Sequence, residues 1–134
     1  MNDITKKLIL FIVDDDDTSR FILKKYIDRR KIFDIQSYDS GEACMSNIHL
    51  NPEVVILDYN LTQSGSRMNG RDVVLSIKKS AKILPRIVML SGQDDGKIVL
   101  ELINEGVRDY VIKGDNAFSE LDEILDNYLA EKQS

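Results

Sequence analysis

The sequence predicts an α/β fold, a parallel sheet of five strands wrapped on both faces by helices, and three observations predict it. Short apolar runs without polar alternation recur along the 134 residues, segments of helical periodicity separate them, and the resulting order is β-α repeated five times. Leu8 to Val13 is the first such run, ended at once by four aspartates, and Val54 to Leu57, after Pro52, is the third strand. Arg86 to Ser91 has the same character, and Tyr110 to Ile112 is a shorter fifth. Phe33 to Tyr38 alternates instead, which places this second strand nearer a sheet edge.

The helices follow from period and caps. Phe21, Ile22, Leu23, Tyr26 and Ile27 precede the basic cluster Arg29-Arg30-Lys31, and Val73, Val74 and Ile77 precede Lys78 and Lys79, whose charge suits a helix C-terminus. Ser40 to Ile48 is a weaker helix stopped by Asn51-Pro52. Ile98, Val99, Leu102 and Ile103 run up to Gly106, a C-terminal cap, and Phe118, Leu121, Ile124, Leu125, Tyr128 and Leu129 mark the last helix. With no repeat, linker or low-complexity tract, the chain reads as one domain over residues 1–134, with a core from about 7 to 130. The longest irregular stretch is Tyr59 to Met68, which includes Ser64, Gly65 and Ser66.

Composition excludes several functions. A net charge of −5, with 18 Lys plus Arg against 23 Asp plus Glu, argues against nucleic-acid binding, which needs clustered, uncompensated cations. The single cysteine, Cys44, leaves neither a disulfide framework nor a cysteine zinc site, and His49 reads as a surface residue. No apolar run reaches the length of a membrane span or a signal-peptide core, so a cytoplasmic location is expected.

In an open parallel sheet, ligands bind beyond the carboxyl ends of the strands. Here those ends carry Asp14-Asp15-Asp16-Asp17 after the first strand, Asp58 after the third, Ser91 at the fourth and Lys113 after the fifth. Asp16 and Asp17 suit a cap on the first helix, whereas Asp14 and Asp15 face Asp58 and Lys113 across the rim. Carboxylates gathered this closely repel, and a hard, oxygen-loving cation relieves them. Magnesium, which accepts one or two carboxylates together with waters and phosphate oxygens, suits this set better than calcium or zinc. An Asp carboxylate beside such an ion can attack a phosphoryl group, with Lys113 and Ser91 offering charge and a hydrogen bond to its oxygens.

The segments Ile12-Val-Asp-Asp15, Val55-Ile-Leu-Asp58, Val88-Met-Leu-Ser91 and Gly106-Val-Arg-Asp-Tyr-Val-Ile-Lys113, in this order and spacing over nearly the whole chain, resemble the response-regulator receiver domain of two-component signalling. The resemblance implies a flavodoxin-like strand order of 2-1-3-4-5. It implies that Asp58 is the phosphoacceptor, that Asp14, Asp15 and Asp58 hold Mg²⁺ with the backbone carbonyl of Asn60, and that Lys113 contacts the phosphoryl group. Ser91 stands at the family's switch hydroxyl and Tyr110 at its switching aromatic, while Asn60 and Gln93 stand where the family tunes dephosphorylation. The implied partners are a histidine kinase or histidine phosphotransfer protein and a downstream protein target, with neither nucleic acid nor membrane involved. The implied protein is not an enzyme for another substrate, although it promotes its own phosphorylation and dephosphorylation. Few residues follow Tyr128, so a stand-alone domain that signals by protein–protein contact is expected.

Three departures from the family stand out. The Met-Pro that usually follows the phosphoacceptor is replaced by Leu61-Thr62, and the matching glycine, Gly70, lies 12 residues beyond Asp58, which lengthens this loop. Gly114 follows Lys113 where Pro is usual, so a trans peptide is expected there. Gly92 after Ser91 leaves the rim more open. Other readings are a pseudo-receiver that binds partners without phosphorylation, and a flavodoxin-like mononucleotide binder, which four aspartates after the first strand oppose. The Asp58-Tyr-Asn60 segment also loosely resembles the nucleophile motif of haloacid-dehalogenase-like phosphatases, but their second Asp is missing.

Overall fold

The computed structural model describes residues 7–63, 65–92 and 96–133; Ser64 and Gln93, both singled out above, lie outside the described residues. Strands β1 (Leu8–Val13), β2 (Phe33–Tyr38), β3 (Val54–Asp58), β4 (Arg86–Ser91) and β5 (Asp109–Ile112) alternate with helices α1 (Asp17–Asp28), α2 (Gly41–Ser46), α3 (Gly70–Ser80), α4 (Gly96–Asn104) and α5 (Ala117–Gln133). All four strand pairings are parallel and the sheet order is β2-β1-β3-β4-β5. The alternating strand β2 is indeed at an edge, and its Asp34 is exposed.

The unbroken apolar runs are explained by two cores, one on each face of the sheet. Successive side chains of a strand point to opposite faces, so Leu10, Ile12, Val54, Ile56, Val88 and Leu90 pack with α1 and α5 residues such as Ile27, Leu121 and Leu125. Their neighbours Phe11, Val13, Val55, Leu57, Ile87 and Met89 pack on the other side with Cys44, Val73, Val74, Ile77 and Leu102.

Local signals set the helix ends. Asp16 caps α1 by accepting from the Ser19 N–H, Ser40 caps α2 through Ala43, and Asn69 with Asp72 forms a capping box on α3. Gly106, at φ +100°, closes α4, with its N–H on the Ile103 carbonyl. The second helix is shorter than its sequence pattern implies, because the chain leaves α2 after Ser46 for a short 3₁₀ turn, Ile48–Leu50, and a left-handed Asn51. The apolar period of α1 and α4 also overstates burial: Leu23, Ile27 and Leu102 are inside, while Phe21, Ile22 and Ile103 are exposed. No peptide bond among the described residues is cis, in keeping with the trans Lys113-Gly114 link.

Candidate functional site

The last rungs of the parallel ladders place the predicted residues side by side. Val13 pairs with Leu57 and Asp58 with Leu90, so Asp14 and Asp58 emerge from neighbouring strands at the same level. Beyond the ladder, the Tyr59 N–H donates to the Leu90 carbonyl at 2.8 Å and the Lys113 N–H to the Ser91 carbonyl at 2.8 Å, which draws both loops onto the end of β4. Asp14, Asp58 and Ser91 are the buried polar or charged residues here, each about 97% removed from solvent. A buried carboxylate persists only with partners. Asp58 has two: Lys113 Nζ donates to its Oδ2 at 2.9 Å and the Asn60 N–H to its Oδ1 at 3.2 Å.

Asp14 is the more strained anion. Burial pushes its carboxyl up to about 6, and the neighbouring Asp58 charge adds to this, while the Asp16 N–H, which donates to Asp14 Oδ1 at 2.9 Å, and Lys113 oppose it. One carboxylate oxygen each from Asp14, Asp15 and Asp58 lie within 4.8 Å of one another. Asp15 Oδ2 is buried and has no hydrogen-bond partner among the described residues. An orphaned buried oxygen beside two further carboxylates, with no His or Cys in the group, is the donor chemistry of a hard divalent cation such as Mg²⁺. The residues present therefore fit such an ion.

Gly70 shows why the long loop still closes on this site. Its N–H donates to the Tyr59 carbonyl at 2.8 Å, and a Cβ there would lie 2.7 Å from Tyr59 Cα and 3.1 Å from the Asp58 carbonyl oxygen. Only glycine fits. Ser66 and Arg67 of this loop are tied to α2, where Glu42 accepts from Ser66 Oγ at 2.6 Å and from the Arg67 N–H at 3.2 Å. Leu61, in place of the usual Met, is fully buried in the core under α3. Gly92 is exposed with open space around it, and Tyr110 is half-buried against the core on the α3 and α4 side. His49 is exposed and Cys44 is buried, its thiol pushed up to about 12 by that burial. Sequence reasoning missed Arg20 and Glu42. An Arg three residues after Asp17 on α1 signals an ion pair, but nothing local points to its contact with the Asp14 carbonyl.

A model of the response regulator receiver domain matches residues 10–126. The chain belongs to this family. The receiver domain is 26% identical over 107 residues to chemotaxis protein CheY1 of Helicobacter pylori, covering 78% of this chain and 83% of that one. It is equally identical to a CheY homologue of Campylobacter jejuni, over 78% and 79% of the two chains. A signal receiver domain from Vibrio parahaemolyticus superposes with a TM-score of 0.81 at 22% identity, covering 95% of this chain and 93% of that one. The non-phosphorylated HemR receiver domain of Leptospira biflexa does so with a TM-score of 0.78 at 22% identity, over 91% and 94%. These likenesses show the flavodoxin-like receiver fold. Receiver domains are signalling domains, and the acidic cluster of this one suits a divalent metal. No helix among the described residues is long and apolar enough to cross a membrane.

Proposed function

We propose that this receiver domain is a phosphorylation switch in which Asp58 accepts a phosphoryl group from the phosphohistidine of a histidine kinase or histidine phosphotransfer protein. The observation that carries the reading is the pairing of buried Asp58 with Lys113 at 2.9 Å, beside two more carboxylates that converge from another strand. A carboxylate oxygen of Asp58 attacks phosphorus, the acyl phosphate P–O bond forms, and the P–N bond to the donor imidazole breaks with its electron pair returning to the ring nitrogen. Asp14, Asp15 and Asp58, with the carbonyl of Asn60, are the residues that would hold Mg²⁺. When bound, that ion neutralises charge on the phosphoryl oxygens.

Lys113 contributes within the chain. Its ammonium, held by Asp58 before transfer, remains next to the oxygens that arrive and offsets their charge. Ser91, buried at the end of β4, supplies a hydroxyl donor, and Tyr110 lies on β5, across the ladder from Met89. A dianionic group that bonds Ser91 and Lys113 better in one arrangement of the β4–α4 and β5 segments than in another shifts the population toward it. The outcome is read by a downstream protein through contact.

Intact mass after incubation with acetyl phosphate, with and without Mg²⁺, tests this. One added phosphoryl group that requires Mg²⁺ and is lost in Asp58→Ala is expected. No adduct under any condition, together with no response to a fluoride phosphoryl mimic, sinks the switch and leaves a pseudo-receiver.

A further inference from the structure

We infer that Arg20 is a positioning residue for the metal-binding carboxylates, a role that rests on the reading of Asp14, Asp15 and Asp58 as the Mg²⁺ site. Asp14 lies one residue past the last ladder rung of β1, and its backbone carbonyl is met there by a side chain. Arg20 Nη1 donates to that oxygen at 2.8 Å, and Nη2 of the same guanidinium binds Asp17 Oδ1 at 2.5 Å. The Asp14 N–H donates to the Tyr38 carbonyl at 3.1 Å, and Asp14 Oδ1 accepts from the Asp16 N–H. Both backbone groups and one carboxylate oxygen of Asp14 are thus spoken for, and the Arg20 fork spans the turn between the strand and α1. The guanidinium is mostly covered, with 19% of its side chain exposed, whereas Asp17 is 89% exposed.

This bracing matters because Mg²⁺ demands near-ideal octahedral geometry and penalises ligands that wander. A run of four aspartates repels itself, and the Arg20 bridge ties its first and last members to one rigid planar group. Partners behind a ligand commonly tune metal affinity by 10–100-fold. Charge alone predicts the opposite sign, since removing a cation near the site favours a divalent ion. The two roles are therefore separable by direction.

The test is Mg²⁺ binding to the purified protein by titration calorimetry, for wild type, Arg20→Ala, Arg20→Lys and Asp17→Asn, with melting temperatures measured in EDTA. Arg20→Ala is expected to weaken Mg²⁺ about tenfold. Arg20→Lys, which keeps the charge but loses the planar fork, is expected to weaken it similarly. Asp17→Asn, which leaves the bond to the Asp14 carbonyl in place, should change it by less than about twofold. With acetyl phosphate, the half-saturating Mg²⁺ concentration of Arg20→Ala should rise while the rate at saturating Mg²⁺ is retained. Unchanged or tighter Mg²⁺ binding in Arg20→Ala overturns the inference, as does an equal loss in Asp17→Asn, which would make the contact a helix-end staple. If Arg20→Ala does not fold, Arg20→Lys decides on the same criteria. Wild-type protein that binds no Mg²⁺ overturns the reading of the site itself, and the inference with it.

Discussion

At the scale of single residues, Asp14 and Asp58 share one buried site. In metal-free protein Asp14 holds its proton up to about pH 6, whereas in the unfolded chain it releases it near its ordinary value of 3.8. The native state thus binds more protons than the unfolded state between these values. Stability contributed by the protonated form is complete at low pH and falls as pH rises from about 4 to about 6. In EDTA, this group is expected to cost on the order of 1–3 kcal/mol across that window. Denaturant titrations at pH 4, 5, 6 and 7 check it: Asp14→Asn should flatten this part of the profile, and an unchanged slope in the variant would show that the group is not responsible. Lys113 pairs with Asp58 at 2.9 Å while 41% of its side chain stays exposed, which leaves it open to the phosphoryl oxygens of the proposed transfer.

Elements position these residues through a few contacts that tolerate little change. Gly70, the first residue of α3, lets the loop return against the backbone that follows Asp58. Gly70→Ala puts a Cβ where the Tyr59 and Asp58 backbone already is, and is expected to destabilise the fold by about 1–3 kcal/mol and to slow phosphorylation through displacement of Asp58. Urea unfolding and the acetyl phosphate rate measure both effects; a variant as stable and as fast as wild type would mean that the loop yields freely. On the opposite face α1 and α5 are stapled. Arg30 binds Asp122 and Asp126 at 2.8 Å each, Asp122 also accepts from the Tyr26 hydroxyl, and Phe118 stacks on Tyr26 with ring centroids 4.4 Å apart. Arg30 is mostly covered, with 18% of its side chain exposed, and Arg30→Ala leaves Asp122 short of a partner. A loss of about 1–2 kcal/mol is expected, read as a lower urea midpoint with unchanged slope and an unchanged phosphorylation rate, because the staple lies away from Asp58.

At the scale of the whole molecule, the proposed switch requires β4 and β5 to respond together. Ser91 and Lys113 sit at the ends of adjacent strands and are linked by the Lys113 N–H to the Ser91 carbonyl at 2.8 Å, so a group that binds both side chains acts on β4 and β5 together. A beryllium fluoride mimic bound at Asp58 is expected to shift amide resonances of α4 and β5 as well as those of the rim, and Ser91→Ala should confine the shifts to the rim. Equal spread in the variant would remove Ser91 from the switch.

Much of this was legible in the chain because the physics is local. Unbroken apolar runs such as Leu8–Val13 require burial on both faces, caps such as Asp16, Asn69 and Gly106 end helices by satisfying neighbouring backbone groups, and crossover order fixes which strand ends share a rim. From these, Asp14, Asp15, Asp58, Ser91 and Lys113 gather at one edge on sequence alone, and the resemblance to receiver domains implies their expected roles. Helical period overstated the burial of Phe21, Ile22 and Ile103, because it reports which residues share a stripe and not how wide a stripe the neighbouring layer covers. Only the tertiary structure decided the contacts between residues remote in sequence or set by side-chain reach: the Arg20 bridge to the Asp14 carbonyl, the Glu42 tie on Ser66 and Arg67, and the fit of Gly70 beneath Asp58. Each depends on distances of about 3 Å between groups whose separation is set by packing, and the order of residues along a chain does not specify such distances.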